Sequence, residues 1–238
     1  MSTEPEKNLI NKPKAEVSDA GHLAVRMALS VIPVIGGATK ELFNTIIAPP
    51  LAKRQAEWME AIAARLIELE KQVEGFKIES LSNNENFIST VFYATTLAIR
   101  NHQKEKIEAM QNSVLNTALN IAVEEDLQHV FLNFIDELTP SHLSVLKYFD
   151  DPEDWLKQKV IPIPNYSYGG AITIFYVAFP ELAKNQDFAK QLVSDLSARG
   201  LSRNWESMHV MDIRSSMYGP KITSLGKQFL AFITSPLK

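Results

Sequence analysis

Between residues 51 and 76 the apolar side chains Trp58, Ile62, Leu66, Leu69, Val73 and Phe76 recur at spacings of 4, 4, 3, 4 and 3. Only an α-helix brings positions so spaced onto one side. Lys53, Arg54, Glu57, Glu60, Arg65, Glu68, Glu70 and Lys71 lie between them. The segment therefore reads as a long amphipathic helix with one apolar seam and a solvated charged face. Pro49-Pro50 suits its first turn, and Gly75 is placed to end it. Such a seam suits packing within the chain first and self-association second.

The following segments supply partners. Asn83 or Asn84 caps a helix carrying Phe87, Val91, Ala94 and Ala98 on one face. Residues 101–108 are polar, a bend or the exposed start of a helix whose stripe is Ile107, Met110, Val114, Ala118 and Ile121. Leu127, Val130, Phe131, Phe134, Ile135 and Leu138 fit the helical template throughout. Upstream, residues 21–50 hold two apolar helices meeting at Gly36-Gly37, with Arg26, Lys40 and Glu41 as the only charges. The resulting expectation is a mainly α chain: a polar disordered tail at 1–17, a helical bundle at 18–135, and a different module at 136–238.

That module opens with TPSHLSVLKYF, a short helix with Thr139 as N-cap, Pro140 as first helical residue, and Leu143, Leu146 and Phe149 inward. A proline-punctuated crossing follows. AITIFYVAF is β-branched and aromatic, so helix and strand are both open. Asn185 or Asp187 begins a helix with Phe188, Leu192, Val193 and Leu196 inward, ended by Gly200. Residues 205–222 are read as containing a short hairpin, with Met208, Val210 and Asp212 alternating. Thr223 caps a last helix with Leu225, Phe229, Phe232 and Ile233 inward.

Composition excludes several chemistries. The chain has no cysteine, which removes thiol catalysis, disulfides, thiolate zinc sites and iron–sulfur ligation, and fits a cytoplasmic setting. The uncharged run 160–180 holds three prolines and a Gly-Gly pair, and 27–39 is broken by Pro33 and Gly36-Gly37. Neither reads as a transmembrane segment. Residues 1–138 hold 13 Lys/Arg against 19 Asp/Glu, and residues 139–238 hold 11 against 9. The +2 balance of the second part gives no basic stripe for phosphates.

The search for catalytic constellations is equally restrictive. No HExxH, GxSxG or GxxxxGK[ST] occurs. Asp126 or Glu125 with His129, and His102 with Glu105 and Glu108, have helical spacing for part of a metal site but read as solvated clusters. A non-enzymatic protein is expected, with no cofactor, no metal and no evident small-molecule substrate. Two surfaces stand out. The hairpin of residues 21–50, with Leu29, Ile32, Val34, Ile35, Gly36, Gly37, Leu42 and Phe43, is a candidate membrane or partner element, its bland alternative being buried core. Lys190, Arg199, Arg203, Arg214 and Lys221 are candidate nucleic-acid contacts, with Glu206 and Asp212 lying among them.

QLVSDLSARGL followed at a distance by ITSLGKQFLAFI resembles the second half of a winged helix-turn-helix domain, with Gly200 terminating the recognition helix. A candidate recognition helix at 187–199 balances Lys190 and Arg199 against Asp187 and Asp195, so protein contact is expected ahead of DNA. An acidic helical first part followed by TPSHLSVLKYF and ITSLGKQFLAFI is similar to the Abi-alpha group of bacterial abortive-infection proteins. That resemblance implies a phage-defence effector or interaction protein, acting through a protein partner or as a homo-oligomer. The alternative is a transcriptional regulator that uses the second module on DNA and the bundle to dimerise.

Overall fold

A computed structural model describes residues 46–120 and 123–237. The chain divides into two compact units, residues 1–57 and 58–238. Of the first, the described part is the approach to and opening turns of helix α1 (Ala48–Gln72). The tail expected at 1–17, the hairpin at 21–50 up to residue 45, and Ile121 lie outside the described residues.

In the second unit the seam of α1 is buried at Trp58, Ile62, Leu66 and Leu69. The helix stops four residues before the seam's last member. Val73 and Phe76 lie beyond it, still packed on the core, and Gly75 turns the chain at φ +80°. A 3-10 turn (Ile78–Asn83) leads to α2 (Glu85–Arg100). The Asn84 carboxamide accepts the Phe87 N–H at 3.0 Å, satisfying one of the donors a helix start leaves open.

Helix α3 (Lys104–Ala118) is central. Met110, Val114 and Leu115 are buried, but so are Asn112, Ser113, Asn116 and Thr117. Its polar side is covered by α11 (Ser224–Ile233), the last helix of the chain. Asn116 Nδ2 donates to the carbonyls of Phe232 and Thr234 at 2.8 and 2.9 Å, and Asn112 Nδ2 donates to Ile233 at 2.8 Å. Two asparagines one turn apart thus satisfy the carbonyls that end α11. Phe131 of α4 (Glu125–Glu137) meets Phe229 and Phe232 at 5.3 and 5.7 Å between ring centroids. The buried apolar residues from Trp58 to Ile233 form one cluster, so packing runs across residues 135–136.

Helix α4 departs from its expected face. Val130 is exposed, whereas Gln128 and Leu132 are buried. Gln128 Nε2 donates to the Val123 carbonyl at 2.7 Å and its Oε1 accepts from Thr117 Oγ1 at 3.2 Å, which turns the buried arc toward α3.

Helix α5 (Pro140–Asp150) starts at Thr139 and Pro140 as the sequence predicts, with His142 completing the cap: its Nδ1 accepts the Thr139 N–H at 3.1 Å. Helix α6 (Pro152–Gln158) follows, capped by Asp151. Strand β1 (Tyr168–Gly170) runs into α7 (Ala171–Ala178), which resolves AITIFYVAF as helix. Ala171, Ile174, Phe175 and Ala178 are its buried residues, at helical spacing, and this burial outweighs its β propensity. Short α8 (Pro180–Ala183) precedes α9 (Gln186–Ala198), which is capped by Asn185 and followed by Gly200 at φ +72°. Phe188 points outward, and Ala189 takes its place in the core.

The hairpin expected within 205–222 is corrected. Met208 sits in a 3-10 turn (Glu206–Met208), and β2 (Met211–Ile213) pairs antiparallel with β1, matching Tyr168 to Ile213 and Gly170 to Met211. Gly170 permits this, since a Cβ there would lie 3.0 Å from the Met208 carbonyl oxygen. A single turn, α10 (Arg214–Met217), leads to an antiparallel bridge between Ser202 and Ile222. Thr223 then caps α11, accepting the Gly226 N–H at 3.0 Å.

Candidate functional site

The five cations singled out in the sequence do not share one role. Lys190 is exposed on α9. Arg199, just after α9, pairs with Glu137 at 2.9 Å and donates to the Asp195 carbonyl at 3.1 Å, while its buried Nε finds no partner. Arg214 lies 3.8 Å from Glu153, donates to the Pro164 carbonyl at 3.2 Å, and stacks 4.7 Å above the Tyr218 ring. These two cations are tied into the fold. The structure brings together the remaining two, Arg203 and Lys221.

Their meeting follows from the backbone. The Arg203 N–H donates to the Lys221 carbonyl at 2.8 Å, and the Thr223 N–H donates to Leu201 at 3.0 Å. This pairing closes residues 204–220 into a loop and faces Arg203 with Lys221 across it. Arg203 is exposed; Lys221 is buried, and its Nζ donates to the Ser216 carbonyl at 2.5 Å. Burial pushes the Lys221 amine below its ordinary range and the Arg203 charge adds to that, against a weaker opposite pull from Asp212. An open pocket of about 370 Å³ lies here, lined by Arg203, Ser207, Asp212, Ser216, Gly219 and Lys221.

A second, larger cavity of about 550 Å³ separates Glu105 and Glu108 of α3 from Lys147 of α5 and Lys159 beyond α6. Trp155 lines it, with Lys159 Nζ 5.1 Å from its ring centroid and an indole N–H that is buried without a partner.

Of the carboxylate–histidine groups read from the sequence, Glu105 and Glu108 line the larger cavity, while their histidine does not. His129, Asp126 and Glu125 are exposed on α4, and His102 is exposed before α3. Among the described residues no group of three or more His, Asp or Glu side chains is placed to hold a metal ion, and no helix is long and apolar enough to cross a membrane.

Sequence reasoning passed over two further buried titratable groups, His142 and Lys106. His142 Nε2 lies 3.3 Å from Asp195 Oδ2, joining α5 to α9. Since Nδ1 accepts from Thr139, the proton sits on Nε2 and points to Asp195. Burial holds this imidazole below its ordinary pKa despite the Asp195 hydrogen bond and charge. Lys106, also buried, donates to the Asp136 carbonyl at 2.6 Å, and burial lowers its pKa against the pull of Asp136. A lysine or asparagine on the inward arc of an amphipathic helix was the available signal; Asn112 and Asn116 carry it at a spacing of four.

No family model matches this chain, and no curated protein or solved structure is detectably similar to it.

Proposed function

We propose that this protein acts by contact, as a self-associating interaction protein of the abortive-infection kind, and that the outward sides of α1 and α2 form its contact surface. One observation carries the reading. Phe92 is 73% exposed, with Ile88 exposed one turn earlier on α2, and Met59 and Ile67 are exposed two turns apart on α1. Trp58 Nε1 donates to Thr95 Oγ1 at 2.8 Å, which joins the two helices. Full burial of such a side chain is worth about 1.5–3 kcal/mol, so Phe92 forgoes most of that and the half-exposed Ile88, Met59 and Ile67 about half each. A second copy of the chain, offering the same residues, recovers that energy on both sides. Residues 21–50 supply a further apolar contact element in this proposal, able to reach a partner or a lipid surface.

Light scattering on the full-length chain at micromolar concentration tests the reading. Dimers or larger species are expected, and Phe92→Asp combined with Ile67→Asp should yield a folded monomer, because both positions are exposed. A monomeric wild-type chain would refute it. Liposome flotation of the same full-length samples tests the lipid contact, with Val34→Asp and Ile35→Asp expected to abolish binding.

A second reading, DNA binding through a winged helix, is favoured by the order α5, α8, α9, the 202–222 bridge and α11. Its charge is thin. Of the five candidate cations, Lys190 and Arg203 alone are exposed and outside any ion pair among the described residues, so about two phosphate contacts are expected from them, with a log–log salt slope of about −2. A duplex titration giving a slope several times steeper would favour the regulator over the contact protein.

A further inference from the structure

Lys221 is the one candidate cation that the fold both buries and leaves without a carboxylate. It is 8% exposed, and neither it nor Arg203 has an Asp or Glu oxygen within 4.0 Å among the described residues. An ammonium donates three hydrogen bonds, and one is accounted for, to Ser216. A buried charge in this state is costly unless paired.

A purely structural lysine is the competing account, and Lys106 shows what one looks like in this protein. It too is buried and caps a helix end, but the neighbouring charge that acts on it most strongly is the Asp136 carboxylate, which favours its charged form. For Lys221 the strongest neighbouring charge is Arg203, which opposes its charged form. Lys106 also lines neither of the cavities described above, whereas Lys221 forms a wall of the 370 Å³ pocket. Two cations that oppose each other's charge and share the wall of an open pocket suit an anionic ligand.

We propose that this pocket binds a small phosphate monoester, its phosphate held between Lys221 and Arg203 and a hydroxyl or amine of the same molecule donating to Asp212. The two cations match a dianion better than a single carboxylate. The volume falls within the range of small-molecule sites and exceeds what a bare phosphate fills, so the ester carries an organic part. Asp212 Oδ1 already accepts the Ile213 N–H at 2.7 Å, which fixes the carboxylate and leaves Oδ2 for the ligand. Asp212 also disfavours a bare polyanion.

The test is calorimetric titration of the full-length protein with ribose 5-phosphate, inorganic phosphate, ribose, succinate and a twelve-base-pair duplex. Ribose 5-phosphate should bind more tightly than inorganic phosphate or succinate, and ribose should not bind. Arg203→Gln, at an exposed position that keeps the fold, should weaken binding about tenfold. Lys221→Met should abolish it. Because Lys221→Met also loses the Ser216 bond, NMR of the Lys221 Nζ in the wild type gives an independent readout: its pKa should rise when the ester binds. Absence of binding by any phosphate at millimolar concentration overturns the proposal. So does succinate binding as well as the ester, or affinity unchanged in Arg203→Gln. Duplex binding that the ester does not compete with also overturns it, and assigns the pair to nucleic acid.

Discussion

Replacing Gly226 by alanine separates two forces that act in opposite directions. Gly226 lies in the first turn of α11, where alanine is favoured over glycine by about 1 kcal/mol from helix propensity alone. The structure reverses the sign. A Cβ at this position would sit 2.1 Å from the Leu201 carbonyl oxygen and 2.5 Å from Ile222 Cγ1, where ordinary contact begins at 3.4 Å. The obstructing oxygen belongs to the backbone, accepts the Thr223 N–H, and is carried by a fully buried residue. It cannot swing aside as a side chain would, so α11 must back away by about 1 Å. Such a shift loosens Phe229 and Phe232 against Phe131 and strains the Ser202–Ile222 pairing. Overpacking costs about 1–3 kcal/mol and more where the backbone must move, so a net loss of about 3 kcal/mol is expected. In a domain this size that lowers the melting temperature by about 10 °C. Urea unfolding followed by circular dichroism measures it. Gly75→Ala serves as a contrast, with nothing within 4 Å and only its φ of +80° to oppose it, at about 1–2 kcal/mol. A Gly226→Ala protein as stable as wild type would show that α11 does not approach residue 201 as closely as described, and the steric argument would fail.

Three further outcomes follow from single residues. Val160 is a β-branched residue at φ +57° and 89% exposed, so Val160→Gly should raise the urea midpoint by an amount worth about 1 kcal/mol, and a fall would refute the strain. His142 has a folded pKa below its ordinary 6.5, so the unfolded chain takes the proton first. Stability is therefore complete above that value and is lost as pH falls through the lower folded pKa; His142→Gln should flatten the decline in urea midpoint from about pH 7 to about pH 5. Asn116→Leu, similar in size, strips the carbonyls of Phe232 and Thr234 of their donor and should cost about 3 kcal/mol in the same unfolding assay.

What could be read from the chain was local. The α1 seam, the Thr139–Pro140 start, the Asn185 and Thr223 caps and the terminating Gly75 and Gly200 each depend on a few neighbouring residues, and the helical folding of the chain follows from them. What could not be read depends on partners distant in sequence. Strand β2 lacks a local mate because its mate is Tyr168–Gly170, and alternation around Met208 mimicked a hairpin where a 3-10 turn instead buries Met208. Val130 and Phe188 fit their templates but face water, since α4 turns Gln128 toward Thr117 and α9 buries Ala189. Arg199, Arg203, Arg214 and Lys221 form one basic group in sequence. In space Glu137 and Glu153 claim Arg199 and Arg214, and the pair left over is defined by a backbone pairing 18 residues apart, Arg203 with Lys221.

The same distant contacts decide whether the first part of the chain can stand alone. Sequence places a bundle boundary near residue 135, and a fragment ending at residue 138 keeps α1 to α4 whole. It loses α11, and with it Phe229, Leu230, Phe232 and Ile233, four buried apolar side chains worth about 1.5–3 kcal/mol each. It also exposes Phe131 and leaves Asn112 and Asn116 without the carbonyls they bind, though water then satisfies those amides. The summed loss, about 6–12 kcal/mol, matches the whole stability of an ordinary domain. Such a fragment should therefore show helical circular dichroism without a cooperative melt, and adding a peptide of residues 221–237 should restore one. A sharp, cooperative transition in the fragment alone would establish the four helices as self-sufficient, and would make α11 an addition to a finished core instead of its closing wall.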